Sequence, residues 1–408
     1  MTTPCPESKI TATRSKVGRS LAADRKAPRG PGRGVACDVS YTLAFPTASV
    51  ATIVMLPTEP VGSIPRPAAL IAGVQDFRAA RISQLELSAL YDSAVRDTIQ
   101  RLEATGSPVI TDGEQAKHSF ATYSIYGLDN LSPDGVPIAF ADGHIRHFPR
   151  LTSGPFRYKT PADVYLAIAQ RYAHVPLKQA VVSASALSLL YPQGGIRGYS
   201  REEYLDALIA EQEGEIRRCL SMGAHVVQMD FTEGRLSIKL DPSRRLLQSF
   251  IDLNNLVLER FSTEERKRIG VHTCPGADRH STHSADVDYA ELLPSLFELQ
   301  ATSFCVQLAS EPDRKRVLRM IRDHARDGQR IFVGVIDPLD PRIETPEEVR
   351  DRILEAADYI PHDRLGTTDD CGFAPFSDDT SRTRETAFDK IRARVAGTAL
   401  ASRVLGLE

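Results

Sequence analysis

The chain has 408 residues, 42% of them hydrophobic, with a net charge of −3 and a pI near 6.4. That length buries a large core as one big domain or two ordinary ones, the near-balanced charge gives no footprint for nucleic acid or an anionic membrane, and no uncharged apolar run reaches the roughly 18 residues of a transmembrane helix. Six scattered cysteines and no secretory signal point to a reducing cytoplasm, where cysteines bind metal, catalyse or simply pack.

Residues 1–54 differ from the rest. The first 35 carry eight Lys or Arg against Glu7 and Asp24, and Pro28-Arg29-Gly30-Pro31-Gly32-Arg33-Gly34 cannot pack, so a disordered basic tail is expected. A start at Met55 explains it better than an organellar transit segment. From 55 to 408, apolar β-type runs alternate with amphipathic helices. Apolar residues from Leu87 to Leu102 recur at three-to-four spacing and stop before Gly106, which predicts a helix. Ser200-Arg201-Glu202-Glu203 is a capping box for a second helix ending near Met222, and Thr345-Pro346-Glu347-Glu348 opens a third. Runs at 109–111, 180–182, 226–229, 269–271, 304–307, 331–335 and 365–368, with an opening strand near 58–62, make eight strands. Eight strands alternating with helices predict a single-domain α/β protein, a (β/α)8 TIM-type barrel. Residues 115–178 hold a long excursion rich in Tyr, Phe, Gly and Pro, expected as loops over the barrel mouth.

Barrel enzymes place their chemistry at the C-terminal strand ends. The polar clusters fall there: Gly62-Ser63, Asp112-Gly113-Glu114, Ser183 to Ser188, Asp230, His272 with Cys274, Gln307, Asp337 and Cys371. His272 and Cys274, two apart on an extended segment, point the same way. With Cys371 they can meet one zinc ion, and a three-ligand set leaves a position open for water or substrate. Two thiolates and a neutral imidazole cancel the charge of Zn2+, which suits alkyl transfer to a bound thiol better than hydrolysis. A fourth ligand is open among Gln307, Cys305 and substrate or water. His280 and His283 read as exposed loop residues, with proton transfer near the thiol as the lesser alternative.

Six motifs in order carry a resemblance: Val61-Gly62-Ser63-Ile64-Pro65, Asp112-Gly113-Glu114, Val227-Gln228-Met229-Asp230, His272-Thr273-Cys274, Gly334-Val335-Ile336-Asp337 and Asp370-Cys371-Gly372-Phe373. Over about residues 56–408 the chain resembles the catalytic barrel of cobalamin-independent methionine synthase and its single-barrel relatives. The resemblance implies a zinc-dependent methyltransferase that methylates homocysteine or a similar small thiol from methylfolate or another donor. It implies His272, Cys274 and Cys371 as metal ligands and catalytic centre, Glu114 and Asp230 as the acids meeting the substrate ammonium, and Ser63 near its carboxylate.

Three departures stand out. Gln307 occupies the position of the family's glutamate ligand, Asp230 is followed by Phe231-Thr232-Glu233 instead of Glu-Pro, and the chain has no tryptophan, with Leu189-Leu190-Tyr191-Pro192 where the family stacks folate. They leave the donor open. The alternatives are alkyl transfer like that of epoxyalkane–coenzyme M transferase, against which Glu114 and Asp230 speak, and a non-catalytic zinc-binding barrel in a methyl-transfer complex. A uroporphyrinogen-decarboxylase-like barrel needs no such metal set.

Overall fold

The computed structural model describes residues 55–407, apart from Pro275, Ala277 and residues 282–286. The expected tail over 1–54 and His283 therefore lie outside the described residues.

Six parallel strands form one continuous sheet in chain order: Lys178–Val182, Val226–Asp230, Ile269–Thr273, Ser303–Val306, Arg330–Ile336 and Leu365–Asp369. Two earlier segments complete the circle. Thr58 bridges Thr367 of the last strand in parallel, and Ile110 bridges Leu177 beside the first. Ile64 N donates to Gly113 O at 3.0 Å, and the Thr111 hydroxyl donates to Gly62 O at 2.8 Å, so the two early segments also join each other. The eight expected strands are thus present, two of them as single bridges instead of ladders. Pro57, Pro60 and Pro65 in the first and Pro108 before the second explain this, because proline has no N–H to give a ladder.

The three expected helices are Gln84–Glu103, Arg201–Ser221 and Pro346–Ala357, each opened by a full capping box at Ser83, Ser200 and Thr345. Each cap satisfies backbone N–H groups that the first turn leaves unpaired. The strands are buried on both faces, as parallel barrel strands between an inner core and outer helices must be.

Two of the buried ion pairs tie the ends of the barrel together. Lys178 Nζ sits 3.2 Å from Glu59 Oε2, and Arg394 of the final helix, Arg384–Val404, sits 2.6 Å from Asp369 Oδ2 while donating to Glu59 O. The final helix is thereby tied to both the first and the last barrel segment.

The excursion over 115–178 is more ordered than loops alone. It holds two short antiparallel pairs, Leu131–Ser132 with Arg150–Leu151 and Pro137–Ala139 with Ile145–His147, and a helix, Asp163–Ala169. Tyr123, Leu151, Phe156 and Leu166 from it are fully buried. No helix among the described residues is long and apolar enough to cross a membrane.

Candidate metal and substrate site

The register of the sheet builds the site. Asp230 and His272 are partners across the parallel ladder, so both side chains leave the sheet on the same side. Asp230 Oδ1 lies 3.1 Å from His272 Nδ1 and also accepts from Gln228 Nε2 at 2.8 Å. A neutral ring that donates its Nδ1–H to this carboxylate keeps the Nε2 lone pair for a metal, the arrangement by which carboxylates orient metal-binding histidines. His272 Nε2 is buried and has no hydrogen-bond partner.

Cys274, two residues on, and Cys371, just past the Leu365–Asp369 strand, bring their sulfurs to the same point. The ligand atoms of His272, Cys274 and Cys371 all lie within 4.8 Å of one another, and all three residues are buried. A hydrogen bond from Cys371 draws the Cys274 thiol well below its usual range against the pull of burial, and Cys371, as the donor, rises well above it. Burial works against charge on His272, yet the Cys274 thiolate and the Asp230 carboxylate more than offset it and push the imidazole up to about 10. Two sulfurs, one readily ionised, and an orphaned imidazole nitrogen are a donor set that fits zinc.

Asp370 braces this corner. Its carboxylate accepts from the backbone N–H groups of Leu308, Ala309 and Ser310 at 2.9, 2.9 and 2.7 Å, pinning the loop after the Ser303–Val306 strand to the residue before Cys371. Gly334 admits that carboxylate, since a Cβ there would lie 1.8 Å from Asp370 Oδ1. Gly372 does the same for Ser63, whose Oγ would lie 2.1 Å from an added Cβ. Ser63 Oγ also accepts from Ala374 N at 3.2 Å. Asp369 pairs with Arg394, and Asp337 caps the turn at Leu339, so of the three acids at these strand ends only Asp370 meets the loop carrying Gln307.

Glu114, expected to meet a substrate ammonium, already has a cationic partner. Its Oε1 is 3.0 Å from Lys117 Nζ, both residues are buried, and Lys117 also donates to Ala180 O at 2.8 Å and lies over the Tyr123 ring. Burial pushes the Glu114 carboxyl up while Lys117 pulls it back down. The turn holding it needs left-handed backbone at Gly113 and Glu114, φ 64° and 54°, and Asp112 Oδ1 accepts from Glu114 N at 2.9 Å. Gln307 Nε2 donates to Glu311 Oε1 at 2.6 Å and to Ser310 Oγ at 3.0 Å, which leaves its buried Oε1 without a partner. Cys305 stands beside His272 in register, but its sulfur is 3.8 Å from Lys178 Nζ, on the ion pair with Glu59.

The trio, Ser63, Glu114 and Asp230 all line one cavity of about 420 Å³ at the C-terminal end of the barrel. Its upper wall is apolar and aromatic, with Phe120, Ile138, Phe140, Phe148, Leu236 and Phe376. The hairpin of Pro137–Ala139 and Ile145–His147 roofs it. Arg146 of that hairpin pairs with Asp278 at 2.7 Å and Asp378 at 3.0 Å, and His144 Nε2 reaches Asp278 at 2.9 Å. Sequence reading did not find Lys117 or the hairpin's charges. His280 is exposed, as expected.

Residues 196–398 match the family model of the cobalamin-independent synthase catalytic domain. The chain belongs to the cobalamin-independent methionine synthase family. Among curated relatives, a methionine synthase of Sulfurisphaera tokodaii is 22% identical over 346 residues, 84% of this chain and 92% of the relative. A 5-methyltetrahydropteroyltriglutamate–homocysteine methyltransferase of Vibrio cholerae is 21% identical over 80% of this chain, which spans only 41% of that longer protein. The fold matches a B12-independent methionine synthase from Shewanella sp. W3-18-1, solved with selenomethionine, at a TM-score of 0.68 and 20% identity, covering 86% of this chain and 99% of that one. The family is one of methyltransferases.

Proposed function

We propose that this protein transfers a methyl group to the sulfur of homocysteine or a similar small thiol, with zinc held by His272, Cys274 and Cys371. The observation that carries the reading is the meeting of those three buried ligand atoms at the floor of a cavity large enough for a thiol and a donor. Zinc in that set supplies the Lewis acidity that keeps a thiol ionised at neutral pH.

The remaining residues orient and enclose. Asp230 holds the His272 ring through Oδ1 and, with Glu114, gives the substrate ammonium an anionic wall. The Glu114–Lys117 pair makes that wall weaker than two free carboxylates, so Asp230 carries more of the attraction. Ser63 offers a hydroxyl to the substrate carboxylate. The aromatic upper wall suits a flat donor of the methylfolate kind and keeps water from the thiolate. A sulfonate thiol would meet the same acids unfavourably, which sets the coenzyme M alternative aside.

The test is metal content and zinc-edge absorption of the purified protein, before and after homocysteine, together with methyl transfer from methylfolate. One zinc per chain whose shell gains a sulfur supports the reading. Absence of zinc, or a shell indifferent to every small thiol, would refute it. Cys371→Ser should lose zinc and activity together while the far-ultraviolet spectrum keeps the barrel signature.

A further inference from the structure

One further buried acid, Glu233, lines the cavity. Glu233 lies on the turn after the Val226–Asp230 strand and lines the same cavity as the metal ligands. Two hydroxyls address it, both on the same oxygen: Ser183 Oγ at 2.7 Å from Oε1, and Ser185 Oγ, closer still. Glu233 Oε2 is buried and has no partner.

The surrounding bonds distinguish the two oxygens. Ser183 Oγ already accepts from Ala186 N at 3.1 Å, and Ser185 Oγ already accepts from Asn254 Nδ2 at 2.7 Å. Each hydroxyl has one proton to give: Ser183 Oγ has Oε1 as its acceptor, and Ser185 Oγ has Oε1 or, at 3.2 Å, Ser183 Oγ. Oε1 thus has hydroxyl partners and Oε2 has none, which favours Oε2 as the oxygen that carries a proton. Burial also favours the protonated form and pushes the group up to about 7, with the Ser185 and Ser183 hydrogen bonds opposing and the Asp230 carboxylate adding to the rise. The other titratable groups lining the cavity are Glu114, His118, Arg146, His147 and the metal ligands.

We propose that Glu233 presents a carboxylic O–H from Oε2 into the donor side of the cavity and gives that proton to the nitrogen that loses the methyl group. The inference rests on the reading of the site as a methyl-transfer centre and on a donor whose methyl is carried by a tertiary amine. In the step, the sulfur–carbon bond forms as the nitrogen–carbon bond breaks, and the bonding pair stays on nitrogen. The Oε2 proton passes to that pair, leaving a secondary amine and a Glu233 carboxylate, which is reprotonated from water once the amine leaves. The thiol's own proton was shed on binding, so the whole is thiol plus methylamine giving thioether plus amine. Without a proton, the leaving group would be an amide anion.

The experiment compares wild type with Glu233→Gln, which keeps an acceptor toward the serines and an N–H toward the cavity but cannot deliver a proton. Infrared difference spectra should show a protonated-carboxyl band that disappears as pH rises through about 7, is missing from Glu233→Gln, and shifts when tetrahydropteroylglutamate, the demethylated amine, is added. Single-turnover transfer from its 5-methyl derivative to homocysteine should slow about 10²- to 10⁴-fold in Glu233→Gln, with donor affinity unchanged and the wild-type fall in rate above neutrality abolished. Ser185→Ala, which removes a bond that favours the ionised form, should move the band and the rate limb to higher pH, and it serves if Glu233→Gln does not fold. An equal single-turnover rate, or a wild-type band absent or indifferent to the amine, overturns the proposal. A wild type that moves no methyl group from this donor to homocysteine overturns the proton-transfer step and counts against the function proposed above, while the amine-sensitive band still tests the O–H itself.

Discussion

At the residue scale, one carboxylate governs the candidate metal centre. Asp230 orients His272 by accepting a hydrogen bond at Nδ1, and it also lines the cavity. Asp230→Asn should weaken zinc binding by about 10- to 100-fold, the usual loss when such an orienting partner is removed, measured by competition with a chromophoric chelator. An unchanged affinity would show that the ring is held by packing alone. The trio was readable because His-x-Cys on a strand must project both side chains to one side. Lys117 was not, because its approach to Glu114 depends on two consecutive left-handed residues, which turn an ordinary three-residue spacing into a buried contact. Glu233 was visible only as a break in a motif. Its importance rests on Ser183, Ser185 and Asn254, which no spacing in the sequence connects.

At the scale of elements, the helices were the easiest to read and the excursion the hardest. The capping box at Ser200 and the Thr345-Pro346-Glu347-Glu348 start gave two helix starts to the residue, and the structure closes a capping box at Ser83 that the apolar spacing of the first helix had not used. The excursion has no period, and its order comes from tertiary contacts. Glu215, on the Arg201–Ser221 helix, accepts from Tyr123 OH at 2.9 Å and Ala162 N at 2.6 Å, fastening the excursion to the barrel. Burial pushes Glu215 up to about 7, against the pull of those two bonds. The unfolded chain ionises near the ordinary carboxylate range, so between that range and pH 7 the folded state holds a proton that the unfolded state has lost. Stability from this group is therefore greatest at low pH and declines as pH rises toward 7. Urea unfolding of wild type and Glu215→Gln should differ in pH dependence by about 2 kcal/mol between pH ~5.5 and ~8.5, with the wild type losing ground as pH rises. Parallel curves would refute the assignment.

For the whole molecule, eight apolar runs alternating with helices were enough to give the barrel, although the first two pair by single bridges because of their prolines. Closure was not legible, because it runs through buried charge. Arg394 on the last helix joins Asp369 of the last strand to the Glu59 backbone of the first segment. Arg394→Met should cost about 3–5 kcal/mol, since it leaves a buried carboxylate unpaired, and Asp369→Asn in the same background should recover part of it. Urea midpoints would measure both, and no recovery would mean that the loss is one of packing.

The ligand trio spans two strands that are not neighbours in the sheet: His272 and Cys274 end one, and Cys371 follows the last. An ion bound to all three acts as a removable rivet across the barrel mouth. It would let the rim breathe or hold it still, independent of any catalytic step. Chelation should then quicken amide hydrogen exchange at the C-terminal ends of those two strands and leave the opposite rim, around Lys178 and Glu59, as slow as before. Uniform quickening over the whole sheet would mean that the ion supports the entire barrel.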